Sequence, residues 1–354
     1  MAKVGVIFGG RSVEHQVSLN SARTVTRALT EAGHETIPLG IAQDGCWLGH
    51  EASAAALSGG IKSIEPLGIP VPPTLRHLLA ASLDVVFPIV HGTWGEDGTL
   101  QGLCEMLGIA YVGAGVTASA LAMDKLQCKR VLEAAGVPVV EYRAAVRGGG
   151  AIDVTDLPLP LFVKPSVGGS SVGIRKVESA DQVAEAVAFA LRFDDAVVVE
   201  RGVAGRELEC AVLGYPDLQA SAIGEIVPGN DFYDYEDKYL QDKAGLIAPA
   251  DVPGATADAM RAMAVKAFAA IGGSGMARVD FFLEQGTDKL YVNEINTLPG
   301  FTRISMYPRL WEISGLPPAR LVDRLVDCAL RRHRDRQRLD SGIKDWLTEL
   351  ARRA

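Results

Sequence analysis

Val4-Gly5-Val6-Ile7-Phe8-Gly9-Gly10-Arg11-Ser12 is an apolar run that ends on two glycines and a serine. Val4–Phe8 reads as a buried strand, and Ser12 to about Thr30 reads as a helix that stops near Gly33. Strand, glycine turn and helix form the first unit of an α/β fold, and the pattern continues downstream. Leu83–Val90 (LDVVFPIV) is a second buried-strand candidate running into His91-Gly92, and Ile109–Val112 is a third. Met123 to about Ala135 has helical spacing and ends at Gly136 and Pro138, as helix stops should. The alternation argues for α/β architecture.

The middle of the chain is strand-rich. Pro160–Lys164 runs into a glycine–serine segment, Asp181–Phe193 has a helical pattern, and Ala196–Glu200 (AVVVE) is a buried strand. Gly148-Gly149-Gly150 reads as a surface turn or linker. Val227 to Ala248 is polar, aromatic and without periodicity, and it holds Tyr233, Tyr235 and Tyr239. About twenty structureless residues in a compact protein are uncommon, and such loops often serve as active-site lids. Met260–Ile271 reads as a helix, Met276–Leu283 and Lys289–Ile295 as a hairpin around Gly286, and the tail from Pro318 as largely helical.

Composition narrows the function. At roughly 150 residues per domain, 354 residues suggest two or three domains. Hydrophobic residues at 48% and charged residues at 22% exclude general disorder. A net charge of −8 makes the chain a poor candidate for broad binding to nucleic acid or anionic lipid. No apolar run approaches the ~20 residues of a membrane span, and the opening strand is broken by glycine too soon for a signal peptide. Cys46, Cys104, Cys128, Cys210 and Cys328 are odd in number and lack a CxxC pair. They fit reduced thiols in a cytoplasmic enzyme, with no disulfide framework or zinc site. The basic run Arg331–Arg338 reads as the solvated face of a helix end, where arginines complement the dipole.

Three glycine-rich segments compete as phosphate sites. Gly113-Ala-Gly115-Val-Thr-Ala118 matches a GxGxxA dinucleotide pattern, but no acid is clearly placed on a following strand, so a tight turn is the better reading. Gly9-Gly10-Arg11-Ser12 opens a helix and aims backbone N–H groups at an anion or polar ligand. Lys164-Pro-Ser166-Val-Gly168-Gly169-Ser170-Ser171-Val172-Gly173 is not a P-loop, because Ile174 and Arg175 stand where Lys-Ser/Thr is required. A strand lysine followed by a Gly/Ser hairpin can still cover phosphates.

The hairpin Ala277–Phe282 with Tyr291–Asn296 carries a metal signal. Side chains alternate along a strand, so Glu294 and Asn296 share a face, as do Arg278 and Asp280. With the turn centred on Thr287, opposed positions sum to 574 and Asp280 faces Glu294. Opposed like charges destabilise a hairpin unless something neutralises them. Two carboxylates and an amide oxygen are hard ligands suited to Mg²⁺. Val279, Phe281, Tyr291 and Ile295 put the other face in a core.

In order, GGRSVEHQVSL (Gly9–Leu19), HGTWGEDGTLQG (His91–Gly102), MDKLQCKRVLEAAGVP (Met123–Pro138), KPSVGGSSVGI (Lys164–Ile174), YDYEDKY (Tyr233–Tyr239), ARVDFF (Ala277–Phe282) and NEINTLPGFT (Asn293–Thr302) resemble the landmarks of the D-alanine–D-alanine ligases of the ATP-grasp superfamily. The resemblance covers nearly the whole chain. It implies an α/β (α+β), three-domain ATP-grasp fold: an N-terminal Rossmann-like substrate domain over 1–115, a central subdomain with a phosphate-covering hairpin over 116–200, and a C-terminal subdomain with lid loop and metal site over 201–354. It implies ATP as substrate, two Mg²⁺ (or Mn²⁺) ions, a homodimer, and peptidoglycan precursor synthesis through a D-alanyl phosphate.

The resemblance also implies roles for residues at matching positions. Lys125 and Lys164 would neutralise ATP phosphates beneath the Ser170-Ser171 hairpin. Glu200, Arg201, Val203 and Glu207 would form the nucleoside pocket, with Glu207 on the ribose. Asp280, Glu294 and Asn296 would bind metal. Arg278 and the Gly300 N–H would hold the oxyanion. Glu14 would pair with the first D-alanine ammonium, and Ser305 and Lys238 would hold the second carboxylate. Glu14, Ser170 and Tyr239 would close the lid. Tyr239 and Met306 match makers of the dipeptide over D-lactate or D-serine ligases. His91 is a substrate-side or a structural histidine. Arg201 stands where lysine is frequent, and Arg303 where a small polar residue is usual. A dinucleotide-dependent oxidoreductase built on Gly113–Ala118 is the alternative of another class, but it leaves the metal hairpin and the tyrosines without a purpose.

Overall fold

The computed structural model describes residues 1–59, 63–64, 82–227 and 245–353. β1 (Lys3–Gly9) leads into α1 (His15–Glu31). The helix begins later than Ser12 because that serine makes a turn first. Its hydroxyl accepts the Glu14 N–H at 3.0 Å and its carbonyl accepts that of His15. β2 (Glu35–Ile41), α2 (His50–Ser58), β3 (Val85–Pro88), α3 (Thr99–Leu107) and β4 (Ala110–Tyr111) complete an all-parallel sheet in the order β2-β1-β3-β4. β2 escapes the sequence pattern because Pro38 interrupts it, and its place at the sheet edge tolerates a proline.

α4 (Val116–Met123) begins where a tight turn is expected, and α5 (Lys125–Ala134) is the helix expected from Met123 to about Ala135. Asp124 adopts an extended backbone, and its carboxylate caps the second helix by accepting the Gln127 N–H at 3.1 Å. β5 (Tyr142–Val146), β6 (Leu161–Pro165), β7 (Arg175–Val177), α6 (Val183–Ala190) and β8 (Ala196–Arg201) follow. The four strands form an antiparallel sheet, order β5-β8-β6-β7, over a core of its own that includes Leu161, Val163, Val183, Val197 and Val199.

β9 (Gly205–Gly214), β10 (Gln219–Val227), β11 (Gly245–Ile247), α7 (Gly254–Ala270), β12 (Gly275–Glu284) and β13 (Leu290–Asn296) build the third layer. Its strands are antiparallel in the order β11-β10-β9-β12-β13. The stretch expected to be structureless, Val227 to Ala248, begins at the end of β10 and contains β11; residues 228–244 between them, with Lys238 and Tyr239, lie outside the described residues. Asp280 does face Glu294, and Arg278 faces Asn296. A bulge after Asp280 then moves the pairing to Phe281 with Val292, so the expected register holds only at the open end.

α8 (Met306–Ile313) and α9 (Pro318–Arg353) close the chain. One core joins the parallel sheet to the third layer through Phe8, Phe87, Leu213, Phe301, Tyr307 and Leu325. The Arg331–Arg338 run is interior to α9, not at its end, and not all of it is solvated. Arg332 donates to the carbonyls of Tyr111 and Gly113 and to Ser274 Oγ, with its guanidinium 4.3 Å from the Tyr111 ring centroid. Among the described residues no helix is long and apolar enough to cross a membrane.

Candidate active site

The strand order reverses between β1 and β3, and the crevice beyond their carboxyl ends is where such sheets bind ligands. Glu14 follows β1 and His91 follows β3. Gly9 and Gly10 have φ of +90° and +94°, and a Cβ on Gly9 would lie 2.1 Å from the Ile41 carbonyl oxygen, so only glycine makes this turn. Both Glu14 and His91 line a cavity of about 850 Å³. His91 is buried, and both ring nitrogens are engaged within the protein, Nδ1 with the Leu298 carbonyl at 2.9 Å and Nε2 with Ser21 Oγ at 3.1 Å. It therefore lines the cavity while its nitrogens hold neighbouring chain. Burial alone would lower the imidazole pKa; the hydrogen bond and charge of Glu96 and the charge of Glu14 raise it above its usual value. Burial pushes Glu96 up to about 7 against the pull of His91.

The second cavity, about 190 Å³, lies between the two antiparallel sheets. Lys125, Lys164, Ser170, Ser171, Glu200, Arg201, Val203 and Glu207 all line it. Lys125 opens α5 and donates to the Gly168 carbonyl at 2.6 Å, which ties it to the glycine–serine segment. Ser170 and Ser171 sit at φ +54° and +59°, a left-handed conformation that serines hold only under constraint. Glu200 is buried with a lysine on each oxygen, Lys164 on Oε1 and Lys129 at 3.0 Å from Oε2. Burial opposes its ionisation, yet the two ammonium charges hold its pKa down at about 2. The Arg201 guanidinium is committed to Glu141, to Glu284 at 2.8 Å and to the Tyr291 hydroxyl at 2.9 Å, so it forms wall more than open donor.

Both cavities share Lys125, Gly168–Ser170, Glu209, Arg278 and Glu294. Glu14 reaches this junction from the first sheet: a Cβ on Gly169 would lie 3.8 Å from its Oε2. Glu209, Asp280 and Glu294 stand in register across β9, β12 and β13. Arg278 meets Asp280 through two bonds of 2.7 Å and Glu209 at 3.1 Å. Burial alone would lower the guanidinium pKa; those carboxylates drive it well above its ordinary value. Three carboxylates beside one arginine leave excess negative charge. Asp280, Glu294 and the amide of Asn296 offer hard oxygen donors, and the Arg278 bonds need only one lone pair of each Asp280 oxygen. The donor set therefore fits a divalent cation completed by substrate oxygens; among the described residues no cluster of three His, Cys, Asp or Glu is preformed as a metal site.

Gly300, Arg303, Ser305 and Met306 line the larger cavity. A Cβ on Gly300 would lie 2.7 Å from Ser305 Oγ, a contact that excludes any other residue there without movement. Ser305 Oγ in turn accepts the Thr302 N–H at 2.9 Å. Lys238 and Tyr239 lie outside the described residues. Sequence reasoning missed Ser21, Glu96, Lys129 and Glu209. Glu209 had a signal, since Glu207 and Glu209 alternate with Leu208 and Cys210, but its alignment with Asp280 is a cross-strand fact.

Two antiparallel sheets closing on a cation-lined groove, joined to a polar cavity at the strand ends of a parallel sheet, define an ATP-grasp enzyme. The model of the D-ala D-ala ligase N-terminus matches residues 3–114, and that of the D-ala D-ala ligase C-terminus matches residues 131–327. The D-alanine–D-alanine ligase of Solibacter usitatus is 47% identical, covering 95% of this chain and 97% of the relative. D-alanine–D-alanine ligase A of Escherichia coli is 43% identical, covering 94% and 96%. The solved D-alanine–D-alanine ligase of Coxiella burnetii superposes with a TM-score of 0.84 at 35% identity, over 98% of this chain and 99% of that one. The VanG D-Ala:D-Ser ligase of Enterococcus faecalis gives 0.79 at 33% identity, over 93% and 99%. This chain belongs to the D-alanine–D-alanine ligase family.

Proposed function

We propose that the chain joins two D-alanines to D-alanyl-D-alanine at the expense of ATP, for peptidoglycan precursor synthesis. The observation that carries this reading is the junction where the nucleotide groove and the carboxylate cavity share Lys125, Ser170, Arg278 and Glu294. A phosphoryl group delivered along the groove arrives there beside an amino-acid carboxylate.

In this reading the nucleoside lies between Glu200, Arg201, Val203 and Glu207, and Lys125, Lys164 and the Ser170-Ser171 hairpin hold the phosphates. The first D-alanine places its ammonium at Glu14, and its carboxylate takes the γ-phosphoryl group to give an acyl phosphate and ADP. The second D-alanine, its carboxylate held by Ser305, Lys238 and the turn before Met306, attacks with its neutral amine. The carbonyl oxygen takes up negative charge beside Arg278 and the Gly300 N–H, then phosphate leaves. Asp280, Glu294 and Asn296 would hold two Mg²⁺ or Mn²⁺ ions, whose chemistry is neutralisation of charge on the transferring phosphoryl group. Glu14, Ser170 and Tyr239 keep water from the acyl phosphate. His91 serves by holding chain around the substrate.

Three units carry the work: 1–115, 116–200 and 201–354, with α9 returning to pack on the first. A cytoplasmic location and a homodimer rest on the family alone. ADP release tests the reading: D-alanine alone should support it fully, and adding D-lactate or D-serine should leave the dipeptide as the main product. A mixed dipeptide with D-serine as the dominant product would move the chain to the D-alanine–D-serine type.

A further inference from the structure

We propose that Ser21 is a positioning residue for the oxyanion site, its buried hydroxyl fixing the Phe301 N–H and thereby aiming the adjacent Gly300 N–H into the cavity. The inference rests on the ligase reading, in which that N–H meets the developing charge.

Ser21 lies on α1, fully buried, and belongs to the parallel-sheet unit. Phe301 belongs to the turn after β13, 280 residues away in sequence. The Phe301 N–H donates to Ser21 Oγ at 3.2 Å. His91 Nε2 lies 3.1 Å from the same oxygen, and His91 Nδ1 lies 2.9 Å from the Leu298 carbonyl. One serine–histidine pair thus grips the turn on both sides of Pro299-Gly300.

The Phe301 bond survives either charge state of His91. The Leu298 carbonyl can only accept, so Nδ1 carries a proton; with the ring neutral Nε2 accepts the Ser21 hydroxyl hydrogen, and with the ring cationic Nε2–H donates to Ser21 Oγ. In both states Ser21 Oγ keeps a lone pair for the Phe301 N–H. The Phe301 ring completes the anchor, edge-on to Phe87 at 5.9 Å and tilted against Tyr307 at 5.4 Å. From the other side Ser305 Oγ packs where a Gly300 side chain would be. The turn therefore has little freedom, and the last constraint on its N–H direction comes from a different structural unit.

Ser18, one turn earlier on the same face of α1, shows the contrast. It accepts the Gly9 N–H at 2.8 Å and donates to the Ile89 carbonyl, bonds internal to the parallel sheet. Ser21 reaches across to the third layer instead.

The test uses Ser21→Ala and Ser21→Cys in the full chain. Cysteine has the shape of serine with a slightly larger atom and accepts hydrogen bonds weakly, while alanine is smaller and accepts none; the two variants thus change volume in opposite directions but both lose the acceptor. Misplacing one donor should lower kcat about 10- to 100-fold in both variants. The KM values for ATP and D-alanine should stay within about twofold, since ground-state contacts are untouched. A tetrahedral phosphinate dipeptide analogue, bound with ATP, should weaken by about the factor lost in kcat. A folded Ser21→Cys protein that keeps wild-type kcat, or one that loses kcat while binding the phosphinate as tightly as wild type, overturns the inference alone. A wild type that releases no ADP with D-alanine overturns the ligase reading and this inference with it.

Discussion

Glu200 bears two lysines in a space from which water is largely excluded. Its folded pKa of about 2 lies below the ordinary 4.5, so its contribution to stability is present above pH 4.5 and is lost as pH falls toward 2. Lys164 lies at the groove and Lys129 beneath it, which separates their tasks. In the proposed reading phosphate would draw on Lys164, and Lys129 would keep Glu200 ionised and in place. Lys129→Met should therefore raise the KM for ATP severalfold, leave that for D-alanine unchanged, and move acid unfolding to higher pH. Steady-state kinetics with a circular dichroism pH titration checks both; an unchanged KM for ATP would mean that Lys129 only fills space. The Glu209–Asp280–Glu294 row gives the opposite case, like charges gathered at a functional cost to the fold. Glu294→Gln or Asp280→Asn should cut turnover at least ~100-fold through the phosphoryl-transfer step; Glu294→Gln should melt at or above wild type, whereas Asp280→Asn, which breaks the two-bond pair with Arg278, should melt lower. Near wild-type ADP release at limiting Mg²⁺ would show that the ion is held elsewhere.

At the level of elements, α9 departs most from its sequence reading. Its arginines suggest a solvated helix end, but a helix of 36 residues has no end at Arg332. Three hydrogen bonds and a stacking contact on Tyr111 make that arginine a tie between α9 and the turn after β4. Arg332→Ala should cost about 2–3 kcal/mol, and Arg334→Ala, on the exposed face, less than about 0.5 kcal/mol. Thermal melts of the two would separate them, and equal melts would refute the tie. The same contrast explains what the sequence shows. Strand–glycine–helix punctuation revealed β1, α1 and β3 because buried parallel strands are continuous apolar runs. The opposed carboxylates of the β12–β13 hairpin were legible because a period of two, with one assumed turn, places Asp280 opposite Glu294. The bulge beyond it was not, since one extra residue leaves no local mark. Ser21, Lys129 and Glu209 stayed hidden because their partners lie on other elements, and an isolated Ser, Lys or Glu carries no signal of what it will face.

Across the whole molecule the cores are unequal, and that predicts where local opening is least costly. The parallel sheet and the third layer share a large core through Phe8, Phe87, Leu213, Phe301 and Tyr307. The β5–β8 sheet packs on a smaller separate cluster around Leu161, Val163, Val197 and Val199. Its ties to the rest include the Lys129–Glu200–Lys164 set and the Asp124–Ser166 bond. A unit with a small core and polar ties should open locally at lower free energy than the joint core. It also supplies one wall of the second cavity, so in the proposed reading bound ATP would bridge it to the third layer and add stability by mass action. Hydrogen exchange should then show β6 and β8 exchanging faster than β1 and β3 in the free protein. With ATP, Mg²⁺ and D-alanine, the largest slowing should fall on β6 and β8, while β1 and β3 change little. Exchange at one common rate in all three sheets, slowed equally by ligand, would mean a single cooperative body and would remove the middle unit as the part that opens first.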